Sequence, residues 1–314
     1  MALQQQLASF ADRGYVVVPG VLSVDQVLEA RHLLETHRAT HTEQSWASPP
    51  GEPGSEIGAL YGPDGEAGRW ACRRLFEADE SLDELVHALL TAEPVAELVR
   101  QIVGEDLCLR NAWAMWRMPV HEPPPPPEER AEGSAWPRES GIHYQMWHRE
   151  EGGICLPEHP LFVHSLQVKV ELDGCDSGSH CITTVPESLA EKQRLALTPS
   201  FAQRRDPKRH RLFGLEQQAA KPFDYWQNNQ ILPGAVDICC RPGDAIVFNN
   251  HNYHAGTVRQ TQRHRRSIGF DYGHAELTPP EHAAECFEPR VIERYPALLR
   301  QYSRNWQGRG TAKM

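Results

Sequence analysis

Apolar residues recur at helical spacing in several segments of the first third of the chain. Residues 5–12 form a short amphipathic pattern, and Ser23 with Gln26 matches a capping box that starts a second helix. Pro94 either breaks a later helix or begins a new one. The apolar positions that define these helices are Val27, Ala30, Leu33 and Leu34; Leu82, Leu85, Val86, Leu89 and Leu90; and Val95, Leu98, Val99 and Ile102.

Strand patterns dominate the middle of the chain. Alternating or β-branched runs predict strands at residues 15–18, 107–118, 161–172, 245–248 and 267–272. A turn over residues 241–244, read as Arg-Pro-Gly-Asp, precedes the fourth of these runs. Helices followed by many short strands indicate a fold in which the two kinds of element are segregated.

Three polar segments interrupt these patterns. Residues 41–69 are rich in Gly, Pro, Ser and Glu and predict a long loop that residues 70–74 pack down. The Pro-rich run at 122–129 predicts an extended surface loop or, alternatively, a lid. Residues 187–235 predict a polar, partly helical insertion, whose basic cluster at 208–211 is either a solvated face or an anion clamp.

The composition narrows the classes of function. The chain has 314 residues and a formal net charge of −10, which argues against nucleic acid or an anionic membrane as partner. No apolar run is long enough to span a membrane, and the N-terminal residues lack the pattern of a signal peptide. The 8 cysteines are scattered and lack a Cys-x-x-Cys pair, which predicts reduced thiols and a cytoplasmic location.

A candidate metal motif lies at mid-chain. His148 and Glu150 are two residues apart, so on a strand both side chains point to one face. Together with the distant His254 they supply the ligand types of the 2-His-1-carboxylate triad that holds Fe(II). With 16 His and 42 acidic residues in the chain, a His-x-Glu pair can arise by chance. The sequence around His254 is therefore the stronger evidence for a metal site. If the strand is unbroken, Gln145 and Trp147 point away from the face of His148.

Four motifs occur in the order seen in the phytanoyl-CoA dioxygenase family of Fe(II)/2-oxoglutarate oxygenases, which the chain resembles over residues 8–275. They are the segment from Phe10 to Ser23, the His148-x-Glu150 pair, the Val185-Pro186-Glu187-Ser188 run, and the Gly243-Asp244 turn with its strand, His254 and Arg265 eleven residues later. The resemblance implies an α+β fold with a double-stranded β-helix core, a jelly roll of the cupin type, carrying N-terminal and inserted helices.

The resemblance also implies a site. Fe(II) is expected on His148, Glu150 and His254, with 2-oxoglutarate and O₂ as co-substrates. Arg265 is expected to hold the distal carboxylate of 2-oxoglutarate through its planar fork. Gln167 and Lys169 share one face of a strand, which points either into the cavity as co-substrate donors or outward.

The resemblance leaves some assignments open. The family's usual Asp is Glu150 here, and Glu151 is the neighbouring candidate for the carboxylate ligand. Arg266 is the rival of Arg265, since the two point opposite ways on a strand. Thr257 offers a hydroxyl near His254 or is solvated.

One oxygenase domain over residues 1–314 is expected. It comprises a mainly helical part at 1–105, a jelly-roll core at 106–275 and a helical tail at 276–314. The implied reaction is hydroxylation of an aliphatic C–H bond of a small molecule, with release of succinate and CO₂. Desaturation or cyclisation on the same scaffold, and a jelly roll that binds a metal or ligand without turnover, are the alternatives.

Overall fold

The computed structural model describes residues 2–40, 46–47, 69–73, 75, 80–104, 107–119, 142–148, 165–188, 234–250, 252, 254–259, 261–274 and 293–295. The helices of this part of the chain are α1 (Leu3–Arg13), α2 (Val24–Thr40), α3 (Glu80–Leu90) and α4 (Glu93–Val103). The strands are β1 (Tyr15–Val18), β2 (Trp46–Ala47), β3 (Arg69–Arg73), β4 (Leu107–Arg117), β5 (Ile142–His148), β6 (Ser165–Glu171), β7 (Cys181–Thr184), β8 (Val236–Ile238), β9 (Ala245–Asn249), β10 (His254–Arg259) and β11 (Arg265–His274).

The helix boundaries follow from local signals in the sequence. The predicted capping box is present at the start of α2, where the Ser23 backbone N–H donates to Gln26 Oε1 at 2.9 Å and the Gln26 N–H donates to Ser23 Oγ at 3.3 Å. Pro94 lies in the first turn of α4, where its missing N–H costs no helical hydrogen bond. Pro94 therefore starts a helix rather than breaking one.

The strands form two antiparallel sheets. The seven-stranded sheet has the order β1-β9-β6-β11-β4-β3-β2, and the four-stranded sheet has the order β5-β10-β7-β8. From β4 to β11 the chain passes repeatedly from one sheet to the other. This is the connectivity of a jelly roll, and the fold is α+β with a jelly-roll core, as the sequence predicted.

The two faces of the seven-stranded sheet differ in polarity. Alternate residues of β6, β9 and β11, such as Val168, Val247 and Phe270, are buried in one large core cluster with the helices. Ile246 and Phe248 belong to a second cluster, together with Ile182 and Ile238 of the four-stranded sheet. The second cluster lies between the sheets, so residues of that parity line the interior of the jelly roll.

The prediction of a long loop over residues 41–69 is wrong in part. Trp46–Ala47 pairs with β3, and β3 begins at Arg69 and pairs with β4, so both strands extend the larger sheet. Backbone pairing with a long neighbouring strand overrides a composition that favours a loop. The Pro-rich run, residues 189–233 of the insertion and all but 293–295 of the tail lie outside the described residues. No helix in the described ranges is long and apolar enough to cross a membrane.

The predicted Gly-Asp turn joins the N-terminal segment to the sheet. The Asp244 carboxylate accepts the Gly20 N–H and the Arg241 N–H, each at 2.8 Å. The Leu22 N–H donates to the Gly243 carbonyl at 3.0 Å. The turn therefore leads into β9, and its hydrogen bonds hold the segment between β1 and α2 against the start of that strand.

His180 connects the ends of the two sheets. Its Nε2 lies 2.9 Å from the carbonyl of Met118, which follows β4, and its Nδ1 accepts the N–H of Arg259, the last residue of β10, at 3.2 Å. These two bonds require a neutral ring with the proton on Nε2. Burial, together with the positive charge of Arg117, lowers the pKa of His180 to about 3.

We predict that His180 makes the protein less stable in acid. Because the folded pKa lies below the ordinary value of 6.5, the unfolded chain binds a proton that the folded chain excludes. This contribution to the free energy of unfolding is complete above pH 6.5 and is lost at about 1.4 kcal/mol per pH unit as the pH falls toward 3. Urea unfolding at several pH values between 3 and 6.5 gives the slope of the unfolding free energy against pH. In His180→Gln this slope should be shallower by the contribution of one bound proton. An unchanged slope would contradict the assignment.

Candidate functional site

The two predicted histidine ligands lie opposite each other on neighbouring strands. β5 and β10 are antiparallel, and His148 pairs with His254 across them. Residues that face each other in such a pair share one face of the sheet. The strand register thus brings together the two positions that the sequence pattern singled out.

A β-bulge in β5 changes which neighbours accompany His148. His254 pairs with His148 and Gly256 pairs with Gln145, so three steps along β5 match two steps along β10. Gln145 therefore takes a register position on the same face as His148. The expectation that Gln145 points away from this face was conditional on an unbroken strand, and the bulge removes that condition.

His254 is fixed in a defined orientation. Its side chain is buried, its ring packs edge-on against Phe248 with centroids 5.1 Å apart, and its Nδ1 lies 2.9 Å from the Asn252 carbonyl. A carbonyl can only accept, so Nδ1 carries the proton and the lone pair of the neutral ring is on Nε2. This is the hydrogen bond that metal-ligating histidines commonly make, so His254 fits the metal that the sequence predicts.

The loop before His254 is tied to the N-terminal helix. Asn252 Nδ2 donates to the carbonyl of Arg13 at 2.9 Å and approaches that of Val185 at 3.4 Å. Gly14 adopts a φ of +73°, and a Cβ there would overlap the side-chain amide of Asn252. The N-terminal motif thus positions the residue that orients His254, a role that the sequence alone did not reveal.

The third predicted ligand, Glu150, lies outside the described residues, and so does its neighbour Glu151. His148 is the last residue of β5. Among the described residues, no group of three or more His, Cys, Asp or Glu is placed to hold a metal ion. The triad of His148, Glu150 and His254 therefore stays a prediction.

Polar residues line the interior face of the larger sheet, across from His254. Gln167 and Lys169 lie on the face of β6 that points into the jelly roll. This is the first of the two orientations predicted for them. Gln167 Nε2 donates to Asp271 Oδ1 at 2.6 Å, and Trp113 Nε1 donates to Asp271 Oδ2 at 3.1 Å. Lys169 Nζ lies 4.9 Å from the ring centroid of Trp113 and 5.8 Å from that of Phe248. Asp271 and Trp113 were not predicted.

Arg265 has a carboxylate partner within the protein. Its Nε donates to Glu171 Oε2 at 3.0 Å and its Nη2 donates to Glu171 Oε1, and both side chains are buried, at 4% and 0% exposure. Burial alone would lower the pKa of Arg265, but the Glu171 carboxylate raises it above its ordinary value. Arg265 is therefore a charged group inside the jelly roll that already makes a two-point ion pair.

The rival residue Arg266 lies on the opposite face of β11. It donates to Asp173 at 2.7 and 2.8 Å and to Glu35 of α2, and its guanidinium carbon lies 5.1 Å from the Trp116 ring centroid. These contacts tie β11 to α2 on the helical side of the sheet. Arg265 is the arginine of this pair that faces the interior.

Thr257 lies on the other face of β10 from His254. Its hydroxyl is hydrogen-bonded to that of Thr183, which in turn donates to Asp237 Oδ1 at 2.5 Å. Thr257 and His254 differ by three positions on a regular part of β10, so their side chains point to opposite faces. The structure gives Thr257 a buried partner away from His254, and the predicted co-substrate contact draws no support from this placement.

No protein-family model matches the chain, and no curated protein sequence matches it. Solved structures do resemble it. HygX from Streptomyces hygroscopicus with nickel and 2-oxoglutarate bound superposes with a TM-score of 0.54 at 16% identity, covering 87% of each chain. HygX with nickel, 2-oxoglutarate and hygromycin B gives 0.52 at 17%, covering 86% of each. HygX with iron gives 0.52 at 16%, covering 87% of each. This similarity establishes a shared fold.

We predict that Gly269 is required for the position of Trp113. A Cβ at residue 269 would overlap the Trp113 ring at Cζ2, while the indole N–H is held by Asp271. Gly269→Ala should therefore cost about 1–3 kcal/mol of unfolding free energy as the core overpacks. Urea unfolding of Gly269→Ala, Trp113→Leu and the double variant measures the coupling. The alanine should cost much less in the Trp113→Leu background, and equal costs in both backgrounds would refute the steric explanation.

Proposed function

We propose that this chain is a non-haem Fe(II)/2-oxoglutarate-dependent oxygenase. His148, Glu150 and His254 would hold the iron. The proposal extends to hydroxylation of an aliphatic C–H bond of a small molecule, with succinate and CO₂ as the other products. Iron with 2-oxoglutarate and O₂ supplies the oxidising power, and the residues described here position the reactants.

The observation that carries the proposal is the pairing of His148 with His254 across β5 and β10 of the smaller sheet. The hydrogen bond of His254 Nδ1 to Asn252 presents the opposite nitrogen for ligation. A fold of the same kind in HygX accommodates nickel or iron and 2-oxoglutarate. The pairing, the hydrogen bond of His254 and the fold are separate observations that favour one chemistry.

The interior residues suit a charged co-substrate that is screened from bulk water. The Asp271 carboxylate accepts hydrogen bonds from Gln167 and Trp113 and so fixes both side chains on the interior face of the sheet. Two cations, Lys169 and Arg265, have interior positions on the same sheet, and each is a candidate partner for the distal carboxylate of 2-oxoglutarate. The Phe248 ring contacts the His254 ring, so an apolar side chain would lie beside the proposed iron.

A small organic molecule is the proposed substrate. HygX binds hygromycin B within a shared fold, which supports a compound of comparable kind. Hydroxylation is the outcome we propose. A carboxylate ligand at position 150 would occupy the iron position that a halide needs, which argues against halogenation.

We predict that His254→Ala abolishes tight Fe(II) binding. The variant removes one of three protein ligands while Asn252 and Phe248 remain in place. An anaerobic titration with metal analysis should show one equivalent of iron in the wild type and little in the variant. His32→Ala, at an exposed position of α2, serves as the matched control and should retain the full equivalent. Full iron retention by His254→Ala would contradict the proposed ligand set.

We predict that Glu150, rather than Glu151, completes the metal site. A neutral amide is a poorer ligand than a carboxylate, so Glu150→Gln should weaken Fe(II) binding and Glu151→Gln should not. The two variants remove the same charge from adjacent positions, so their comparison isolates ligation from general electrostatics. The opposite order of affinities would move the ligand by one residue.

A further inference from the structure

Two cysteines meet at the place where the chain crosses between the two sheets. Cys175 lies in the segment from β6 to β7, and Cys240 lies in the segment from β8 to β9. Their sulfur atoms are 3.4 Å apart, although the residues are separated by 65 positions in the sequence. Both thiols are free, with Cys175 buried and Cys240 partly exposed. The proposed oxygenase reaction uses neither side chain.

The backbone holds the two cysteines directly opposite each other. They form an antiparallel bridge in which each N–H donates to the carbonyl of the other residue at 2.9 Å. In a hydrogen-bonded pair of this kind the Cα atoms are about 5.5 Å apart, which lies within the usual range for a disulfide. Side chains at opposite positions project from the same face. The backbone therefore already has the geometry that a disulfide bond requires.

Close packing keeps the two segments together on either side of the cysteines. Gly174 has a φ of +70°, and a Cβ there would lie 2.9 Å from the Cys240 carbonyl oxygen and from Pro242 Cδ. The Gly243 N–H donates to the Glu171 carbonyl at 2.8 Å. Because the backbones are fixed, only side-chain rotation is needed to bring the sulfur atoms from 3.4 Å to the bonding distance of about 2.05 Å.

The surroundings of the two thiols indicate the order in which they react. Cys175 Sγ lies 3.1 Å from the Ile238 carbonyl, which can only accept, so the Cys175 S–H points to that oxygen. The S–H between the two sulfurs then belongs to Cys240. The hydrogen bond with Cys240, burial and the charge of Glu171 raise the pKa of Cys175. An external reagent therefore meets Cys240 first, and Cys175 closes the bond.

We propose that Cys175 and Cys240 form a reversible disulfide by exchange with a small-molecule disulfide such as glutathione disulfide. The Cys240 thiolate attacks one sulfur of the reagent, which forms a mixed disulfide and releases one glutathione. The Cys175 thiolate then attacks Cys240 Sγ and displaces the second glutathione. Two protein thiols are oxidised, one small disulfide is reduced to two thiols, and the departing thiolates take up the two protons.

The disulfide joins the two segments that carry the chain between the sheets. It closes a ring over the 65 positions that separate the cysteines. A cross-link of this length restricts the unfolded chain and should raise the Tm by about 5–10 °C when the native geometry accommodates it without strain. In a reducing compartment both thiols stay reduced, as the sequence predicts, and the site responds to an oxidising shift.

The test is incubation of the purified protein with glutathione disulfide, followed by alkylation of the remaining thiols and peptide mapping by mass spectrometry. We expect the peptide of Cys175 linked to that of Cys240, with the loss of two hydrogen atoms in mass and reversal by dithiothreitol. The exposed Cys239 lies on the same peptide as Cys240, so serine variants decide between them. Cys239→Ser, the matched control, should form the link as the wild type does, and Cys240→Ser should not.

Two results of the mapping would overturn the assignment. One is a link that is lost in Cys239→Ser and kept in Cys240→Ser. The other is a wild-type protein that stops at the mixed disulfide with glutathione and never forms the internal bond. Thermal unfolding of the mapped samples tests the geometry separately. The oxidised wild type should show the rise in Tm of about 5–10 °C, which Cys240→Ser should lack. A Tm that falls on oxidation would contradict a bond formed without strain.

Discussion

The alternation of side chains along β6, β9 and β11 determines where the candidates Gln167, Lys169 and Arg265 lie. The side chains on one face of the larger sheet, among them Val168, Val247 and Phe270, are covered by the helices. The side chains on the other face point toward the smaller sheet. A shift of one residue in β6 would exchange Lys169 for an apolar neighbour, and a shift of one residue in β11 would turn Arg265 outward. The helices therefore contribute to function indirectly, since burial of their apolar faces against one side of the sheet fixes the side that is left for chemistry.

The interior of the jelly roll contains charges, and specific contacts compensate them. Arg265 is paired with Glu171, and Asp271 accepts two hydrogen bonds from Gln167 and Trp113. Buried charges require such partners because desolvation is costly. His180, with a pKa lowered to about 3, shows the same constraint in another form, since it is buried among arginines as a neutral ring.

Local signals in the sequence predicted local structure well. The Ser23–Gln26 capping box and the Gly243–Asp244 turn are formed by residues close in sequence, and the structure contains both. The fold class and the inward position of Arg265 followed from motif order and strand alternation. The parts that could not be predicted depend on long-range pairing. The bulge in β5 exists only relative to β10, and the partner of Arg265 lies 94 positions away in the sequence. Thr257 is hydrogen-bonded to Thr183, 74 positions away, and no local pattern indicates that contact.

The proposed function requires a metal between β5 and β10 that faces the interior side of the larger sheet. A crystal structure of the protein grown anaerobically with nickel and 2-oxoglutarate tests this most directly, because anomalous scattering locates the metal independently of any ligand assignment. We expect one metal about 2.0–2.2 Å from His254 Nε2, with His148 and Glu150 as further ligands. Metal bound through His254 Nδ1, or density for the metal at a site without His148 and His254, would contradict it.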